Sequence, residues 1–326
     1  MSAFTKDLSF LELFIINTVA YFDVFDYPLT LLEIYNYLYT GGMSGADYSL
    51  PEIKDNLENN PKLKKIITSQ SGFYFLKNRR QIIQTRLQQY NIADKKFKIA
   101  LKAVKFLKFF PFIKLVAVCN NLAYFNARKQ SDVDLFIITS KNRLYFSRFF
   151  ITLLLSLMGI RRHGHKVTDR LCLSFYLTED NLDLNQIKIV PDDIYLIYWL
   201  ATLSPVYERD DFHNQFLQAN NWFKQYLPNY QDKQVGHRYQ VEDTKFSESI
   251  YKFKQLIWQG VLGNWLEKIS KYIQHKKMSQ SKRDISVREK NWVIINDQML
   301  KFHENDRRLY YLQKFEAKRK ELIEQL

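Results

Sequence analysis

The stretch LVAVCNNLAYFNARKQSDVDLFIIT, from Leu115 to Thr139, is the part of the sequence that most constrains the fold. It contains two apolar runs, typical of buried segments, joined by a polar turn. Both runs are predicted to be strands. Two aspartates, Asp132 and Asp134, lie one residue apart where the second run begins. Because side chains alternate between the two faces of a strand, both carboxylates are expected on one face, about 6–7 Å apart along the chain. Val133 and Leu135 then point into a core.

Two carboxylates on one face at the start of a strand form a platform of hard oxygen ligands. Mg²⁺ suits such a platform because it needs few protein ligands and completes its octahedron with phosphate and water. With two metal ions about 3.5–4 Å apart, one activates an attacking hydroxyl and the other stabilises a departing pyrophosphate. The alternative is a solvent-facing Ser-Asp turn that merely enters a strand, which is the commoner meaning of an isolated Asp-x-Asp.

Length and composition predict two or three folded units. The chain has 326 residues, of which 46% are hydrophobic, and a single domain usually has roughly 100–200. The formal net charge of +14 favours a polyanionic partner such as nucleic acid or nucleotide, although a generally basic protein without one is the alternative.

Cys119 and Cys172 have no paired spacing, which argues against disulfide scaffolding and Cys-based zinc sites and favours a cytoplasmic location.

The sequence predicts neither a membrane segment nor a membrane partner. The most apolar candidate, LYFSRFFITLLLSLMGI, contains Arg148 and is short for a bilayer span, so a buried helix is predicted there. Asp7 and Glu12 interrupt the opening residues, which argues against a signal peptide.

The sequence of residues 1–78 predicts a small helical module that ends in a hairpin. PLTLLEIYNYLYTGG has Thr30 and Glu33 at capping-box spacing, and SLPEIKDNLENN can be capped by Ser49. KLKKIITSQSGFYFLKN alternates into a Ser-Gly turn and out again, which is typical of a hairpin. This order resembles a winged helix, a module that often binds DNA, although many such modules only mediate protein contacts.

The segment 77–114 is predicted to be a basic helix. It contains eleven Lys and Arg residues and a single acid, Asp94. Apolar residues at helical spacing, including Ala100 and Val104, predict that one face packs while the other forms a positive surface for a polyanion such as nucleic acid. A solvated charged face without a partner is the alternative.

In the rest of the chain, the sequence predicts a helix at Tyr145–Met158 and a strand at 170–178. Beyond Asn181 it predicts helices and no strand. HENDRR, at 303–308, contains His303, Glu304, Asp306, Arg307 and Arg308 and is predicted to lie in a charged helix with a salt-bridged surface. The predicted domains are 1–78, 79–180 and 181–326. They correspond to the helical module, the basic helix with the α/β core, and a helical C-terminal region.

The apolar strand, the polar turn and the following Asp-x-Asp resemble the core motif of the DNA polymerase beta-like nucleotidyltransferase superfamily. In that motif a Gly-Ser turn precedes an Asp-x-Asp or Asp-x-Glu on the next strand, and the resemblance covers about 115–178. FDYPLT, NARKQSDVDLFIIT and MLKFHENDRR further resemble prokaryotic nucleotidyltransferase-domain proteins with an N-terminal winged helix. The resemblance implies an α/β (α+β) fold with a small mixed sheet. It also implies transfer of a nucleoside monophosphate from a nucleoside triphosphate to an unidentified acceptor.

The resemblance assigns metal and catalytic roles to three acids. Asp132 and Asp134 correspond to the Mg²⁺ ligands. Asp169, just before the strand at 170–178, is the candidate for a third catalytic carboxylate. The alternative for Asp169 is a loop acid paired with Arg170.

The phosphate-binding turn departs from the family pattern. Cys119, Asn120 and Asn121 stand where the family has a small residue, glycine and serine, and Arg128 in the following loop is a candidate phosphate contact. Asn121 can donate through its amide, whereas Asn120 fits only if the turn accepts a left-handed asparagine. Two hypotheses follow: an active enzyme with a rebuilt phosphate cradle, or a catalytically weakened nucleic-acid-binding or regulatory protein on the same fold.

Overall fold

The computed structural model describes residues 7–43, 47–232, 236–285, 293–302 and 306–326. The helices of these residues are α1 (Phe10–Asp23), α2 (Leu31–Asn36), α3 (Leu50–Asn59), α4 (Leu63–Ile66), α5 (Gln81–Leu107), α6 (Leu144–Leu157), α7 (Ile194–Thr202), α8 (Phe212–Ala219), α9 (Lys245–Trp258), α10 (Val261–Ile285) and α11 (Arg308–Glu324). The strands are β1 (Leu29–Thr30), β2 (Ile67–Gln70), β3 (Phe73–Leu76), β4 (Ile113–Val118), β5 (Val133–Thr139), β6 (Leu171–Thr178), β7 (Ser204–Glu208), β8 (Ile294–Ile295) and β9 (Met299–Lys301). The predicted α+β class is confirmed.

The first helices begin where the sequence predicts caps. Thr30 and Glu33 form the predicted capping box of α2, since the Thr30 side chain accepts from the Glu33 amide and the Glu33 carboxylate accepts from the Thr30 amide. Ser49 caps α3 in the same way. The predicted hairpin is β2–β3, and β1 adds to its other side to give a three-stranded sheet in the order β1-β3-β2.

A six-stranded mixed sheet in the order β7-β4-β5-β6-β9-β8 forms the centre of the described structure. Strands β4 and β5 are the two predicted apolar runs, and they pair antiparallel. Strand β6 lies parallel to β5 on its other side, with α6 as the connection between them. The same edge of the sheet therefore carries the start of β5, the start of β6 and the turn that follows β4.

The prediction of only helices beyond Asn181 is wrong. Strand β7 pairs antiparallel with β4 and forms one edge of the sheet, while β9 pairs antiparallel with β6. Pro205 lies within β7, where an edge position tolerates its missing amide proton. Strands this short carry too little alternation to be recognised before their partners are known.

Helix α1 joins the N-terminal and C-terminal segments in one hydrophobic core. Every residue from Leu11 to Asp23 is buried. The Tyr21 ring stacks on Tyr198 of α7, with ring centroids 4.2 Å apart, and contacts Phe315 of α11 edge-on. The same cluster contains side chains of the six-stranded sheet, such as Phe136. The domain bounds at 78 and 180 stay a prediction.

The helix predicted at Tyr145–Met158 is α6, which begins and ends one residue earlier. The prediction that it is buried holds for one face only, because Phe150, Leu153 and Leu157 are exposed. Within the described part of the chain, no helix has the length and apolar character needed to cross a membrane.

Candidate metal and phosphate site

Asp132 and Asp134 lie together where β5 begins, with Val133 and Leu135 fully buried in the core as predicted. Single ligand atoms of Asp132, Asp134 and Cys172 all lie within 4.8 Å of one another. This group of two carboxylates and one thiol has the donors and spacing to hold a metal ion.

Cys172 reaches the carboxylates because β6 runs parallel to β5. Asp134 and Cys172 are direct partners in the register of the two strands. Neighbouring strands lie about 4.8 Å apart, so side chains of paired residues on one face come close. Cys172 was not predicted as a site residue. The signal for it, a strand beginning near 170, becomes informative only once the pairing of β5 with β6 is known.

Arg162 places a positive charge against this group. Its Nη1 donates to Asp132 Oδ2 at 2.6 Å and lies 3.7 Å from the Cys172 sulfur. The Arg162 side chain is 46% exposed, so it approaches the carboxylate from solvent. No sequence pattern predicted this pair, because it joins a loop to a strand start 30 residues away.

Asn120 has the left-handed conformation that its place in the turn requires. Its φ is 59°, a value that asparagine adopts more readily than most residues with a side chain. Its Nδ2 donates to Asp134 Oδ2 at 2.9 Å, and its Oδ1 accepts from the Tyr195 hydroxyl at 3.3 Å. The asparagine thus orients one of the two carboxylates, a role that a glycine cannot have.

Cys119 and Asn121 flank Asn120 with different surroundings. Cys119 is buried, its amide donates to the Asp134 carbonyl at 3.2 Å, and burial raises the pKa of its thiol well above the usual range. The Asn121 Oδ1 accepts from the Tyr124 hydroxyl at 2.8 Å. The Asn121 Nδ2 group is a hydrogen-bond donor.

The position of the Asp134 carboxyl is electrostatically unfavourable. Burial, and then the neighbouring Asp132 charge, raise its pKa from 3.8 to about 6, against the opposing hydrogen bond from Asn120. Burial, followed by the two aspartates, also raises the pKa of the Cys172 thiol to about 12. A cation bound among these groups relieves the repulsion between them.

The site opens into a large cleft with a positive wall. The cleft has a volume of about 1410 Å³ and is lined by Asp132, Asp134, Asn120 and Asn121, among others, whereas small-molecule pockets usually measure about 300–1,000 Å³. Eight cationic residues line it: Arg128, Arg148, Arg161, Arg162, Lys301, Arg307, Arg308 and Lys314. These cations outnumber the acids Asp132, Asp134 and Asp306 along the cleft wall.

No family model, characterised protein or solved structure matches the chain. The function is therefore inferred from the side chains at the site and from their positions on the sheet. Among the described residues, Asp132, Asp134 and Cys172 form the group whose ligand atoms are spaced to hold a metal ion.

The structure does not bring Asp169 into that group. Its carboxylate accepts from Lys96 Nζ at 2.6 Å, with the Asp169 side chain 55% exposed and the Lys96 side chain 1% exposed. Lys96 also donates to the Ser131 carbonyl at 2.6 Å. Asp169 thus forms an ion pair with Lys96 of α5 rather than with its neighbour Arg170. Lys96 therefore links Asp169 to the loop that precedes Asp132.

Arg128, the predicted phosphate contact, lies on the rim of the cleft. Its side chain is exposed, and its Nη2 is 3.8 Å from a carboxylate oxygen of Asp26. Such a long, exposed ion pair is weak. Arg128 can therefore turn towards a ligand at little cost.

The salt-bridged helix surface predicted for HENDRR is wrong: Asp306 and Arg308 instead form a buried network with Lys301 of β9, and α11 begins only at Arg308. Asp306 accepts from Lys301 Nζ and from Arg308 Nη2 at 2.8 Å each, and Arg308 Nη1 donates to Asp193 Oδ2 at 2.9 Å. The two cations beside Asp306 outweigh its burial and hold the pKa of its carboxyl far below the usual range. Residues 303–305, with His303 and Glu304, lie outside the described residues. The network fixes the start of α11 against the start of α7 at one wall of the cleft.

The predicted basic helix is α5, with one face in the core and one in solvent. Ala100 and Val104 are buried, as the helical spacing predicts. Four exposed lysines follow one another at intervals of three and four residues, which places them on one side of the helix. These lysines, called the lysine stripe below, are Lys95, Lys98, Lys102 and Lys105.

Proposed function

We propose that the protein is a Mg²⁺-dependent nucleotidyltransferase that moves a nucleoside monophosphate from a nucleoside triphosphate to an acceptor. The observation that carries the proposal is the meeting of Asp132, Asp134 and the Asn120 turn at one edge of the sheet, inside a positive cleft. Metal-ligand carboxylates beside a turn that offers amide donors are what triphosphate binding requires.

The donors present fit a divalent cation. Asp132 and Asp134 offer carboxylate oxygens, the ligands that Mg²⁺ prefers, and the raised pKa of Asp134 marks a negative charge that is incompletely compensated. When bound there, Mg²⁺ would neutralise phosphate charge and increase the acidity of an attacking hydroxyl.

The chain's own residues hold the triphosphate and keep the site in shape. Asn120 orients the Asp134 carboxylate through its 2.9 Å hydrogen bond, while the Asn121 amide and the positive cleft wall bind phosphate oxygens. Arg162 holds Asp132 through a 2.6 Å hydrogen bond, and with a cation bound at the carboxylates its guanidinium would be available to donate to a phosphate oxygen. Its exposure allows the guanidinium to move without disturbing the core.

The lysine stripe favours a second candidate, a nucleic-acid-binding protein with a weakened or idle catalytic site. Four lysines along about 15 Å of helix form a row of positive charge that can contact phosphates of a nucleic-acid strand. The helices and the β1-β3-β2 sheet of the N-terminal module are also arranged in the order of a winged helix. Both features serve equally well to hold a nucleic-acid acceptor for the enzyme.

Binding of labelled nucleoside triphosphates, each titrated with and without Mg²⁺, tests the enzyme proposal. The parent is expected to bind at least one triphosphate in a Mg²⁺-dependent way, and Asp132→Asn and Asp134→Asn are expected to lose that binding. Asp55→Asn is the matched control, because Asp55 is an exposed acid on α3. If the parent binds no triphosphate, or if the site variants bind as the control does, the proposal is wrong.

Nucleic-acid binding is tested through the lysine stripe. Changing its four lysines to glutamine is expected to make the slope of log affinity against log salt shallower by up to about 0.9 for each phosphate that a lysine no longer neutralises. An unchanged slope would show that the lysine stripe does not contact phosphates and is an ordinary solvent-exposed surface. Incubating the parent with a labelled triphosphate, Mg²⁺ and cellular RNA and protein then identifies the class of acceptor.

A further inference from the structure

We infer that Cys172 is the third protein ligand of the metal site, so that the site binds thiophilic divalent cations such as Co²⁺, Zn²⁺ and Cd²⁺ more tightly than Mg²⁺. The inference depends on the metal site of the proposed function but not on nucleotidyl transfer. It names the chemical class of cation that the site selects.

The sheet fixes the thiol next to both carboxylates. Cys172 and Asp134 are register partners on neighbouring parallel strands, and Asp132 precedes Asp134 by one strand repeat. Their ligand atoms lie within 4.8 Å of one another without any loop having to close. Ligands carried by rigid strands need little rearrangement to bind a metal ion.

Arg162 independently indicates where a cation belongs. One guanidinium nitrogen lies 2.6 Å from Asp132 Oδ2 and 3.7 Å from the Cys172 sulfur, so a single positive group already contacts two of the three ligands. Arg162 comes from outside the sheet and is 46% exposed. A metal ion can therefore take its place while the guanidinium moves into solvent or onto a ligand.

The donor set determines which cations compete best. Thiolate is a soft ligand that favours later divalent metals such as Zn²⁺, whereas Mg²⁺ is bound by oxygen. Two carboxylates and one thiolate give three protein ligands, the number found in catalytic zinc sites that keep an open position. The open position leaves room for a phosphate oxygen, so the thiophilic cation and the triphosphate can share the site.

The chain supplies a matched control for the thiol, because Cys119 and Cys172 are its two cysteines. Cys119 is buried, its sulfur lies 3.7 Å from the backbone carbonyl of Asp134, and it is not a member of the group with metal-ligand spacing among the described residues. Cys119→Ser therefore removes one thiol next to the site without removing a proposed ligand.

Titration with Co²⁺ alone, followed by absorption, tests the inference. A thiolate-to-cobalt charge-transfer band is expected in the parent and in Cys119→Ser and is expected to be absent in Cys172→Ser. In Cys172→Ser the Co²⁺ affinity should fall at least tenfold, since losing even an outer-shell partner of a metal ligand typically costs about 10–100-fold. The Mg²⁺ affinity should stay within about twofold, because Mg²⁺ takes its ligands from the carboxylates. Circular dichroism of each variant checks the fold.

A second variant, Cys172→Asp, tests the inference without relying on the Cys172→Ser protein. Cys172→Asp replaces the soft ligand by a hard one, so the ratio of Co²⁺ to Mg²⁺ affinity is expected to fall below that of the parent. The inference is overturned if the parent binds no Co²⁺, if the band persists in Cys172→Ser, or if the affinity ratio of Cys172→Asp is unchanged. A parent with Mg²⁺-dependent triphosphate binding but no cobalt band would overturn the inference alone. A parent with the band but no triphosphate binding would overturn the proposed function alone.

Discussion

Asp134→Asn is expected to stabilise the metal-free protein at neutral pH even though it removes a proposed metal ligand. Burial, together with the nearby Asp132 charge, raises the pKa of the Asp134 carboxyl from 3.8 to about 6. Ionisation of Asp134 is therefore less favourable in the folded protein than in the unfolded chain. An asparagine keeps an oxygen that accepts the hydrogen bond from Asn120 and carries no charge.

The size and sign of the effect follow from these pKa values. Below about pH 3 the carboxyl is protonated in both states and contributes no destabilisation. As the pH rises from about 3 to about 7, the unfolded chain ionises first, so the free energy of unfolding falls. Above about pH 7 the whole difference between the pKa values of 3.8 and about 6 acts on stability, which corresponds to about 3 kcal/mol at about 1.36 kcal/mol per pKa unit. Because Asp134 is only half-buried by surface area, about 2–3 kcal/mol is the expected gain for the variant.

Urea unfolding in the presence of a chelator measures this gain. The free energy of unfolding of Asp134→Asn should exceed that of the parent by about 2–3 kcal/mol at pH 7.5 but by only about 0.5 kcal/mol at pH 4. Asp55→Asn, the exposed control, should stay within about 0.5 kcal/mol of the parent at both values. Added Mg²⁺ should then stabilise the parent more than Asp134→Asn, because only the parent keeps both carboxylates. Equal stability of parent and variant at pH 7.5, or the same gain at pH 4, would refute the reasoning.

Two further substitutions test the turn and the ion pair beside the site. Asn120→Ala should be less stable than Asn120→Gly by about 1 kcal/mol in urea unfolding, since both lose the amide but only glycine adopts a left-handed φ without cost; equal stabilities would contradict the left-handed turn. Asp169→Asn should lower the unfolding temperature, because buried Lys96 loses its anionic partner, while the Mg²⁺ affinity stays within about twofold. A large drop in Mg²⁺ affinity would instead support Asp169 as a third metal carboxylate.

Local patterns predicted the parts of the fold that local interactions determine. The capping boxes at Thr30 and Ser49, the hairpin and the apolar strands β4 and β5 each depend on residues close together in the sequence. The Asp-x-Asp spacing likewise placed two carboxylates on one face of β5. Each of these features can be read from a window of a few residues.

Long-range pairing produced the features that sequence patterns did not predict. Strands β7 and β9 are short and become recognisable only as neighbours of β4 and β6. Cys172 joins the aspartates through strand register, and Asp169 pairs with a lysine 73 residues away instead of its neighbour. The buried ion pairs around Arg308 resemble a charged surface in the sequence, because sequence alone does not show which helices will cover them.

The packing of α1 against α11 has a consequence for synthesis on the ribosome. Translation reaches the start of α11 about 285 residues after the end of α1, which takes roughly 15–60 s at about 5–20 residues per second. For that time the apolar surface of α1 that Phe315 later covers has no native partner. Chaperones and neighbouring nascent chains compete for it, so slower translation between the two helices should increase aggregation without any change in the finished protein.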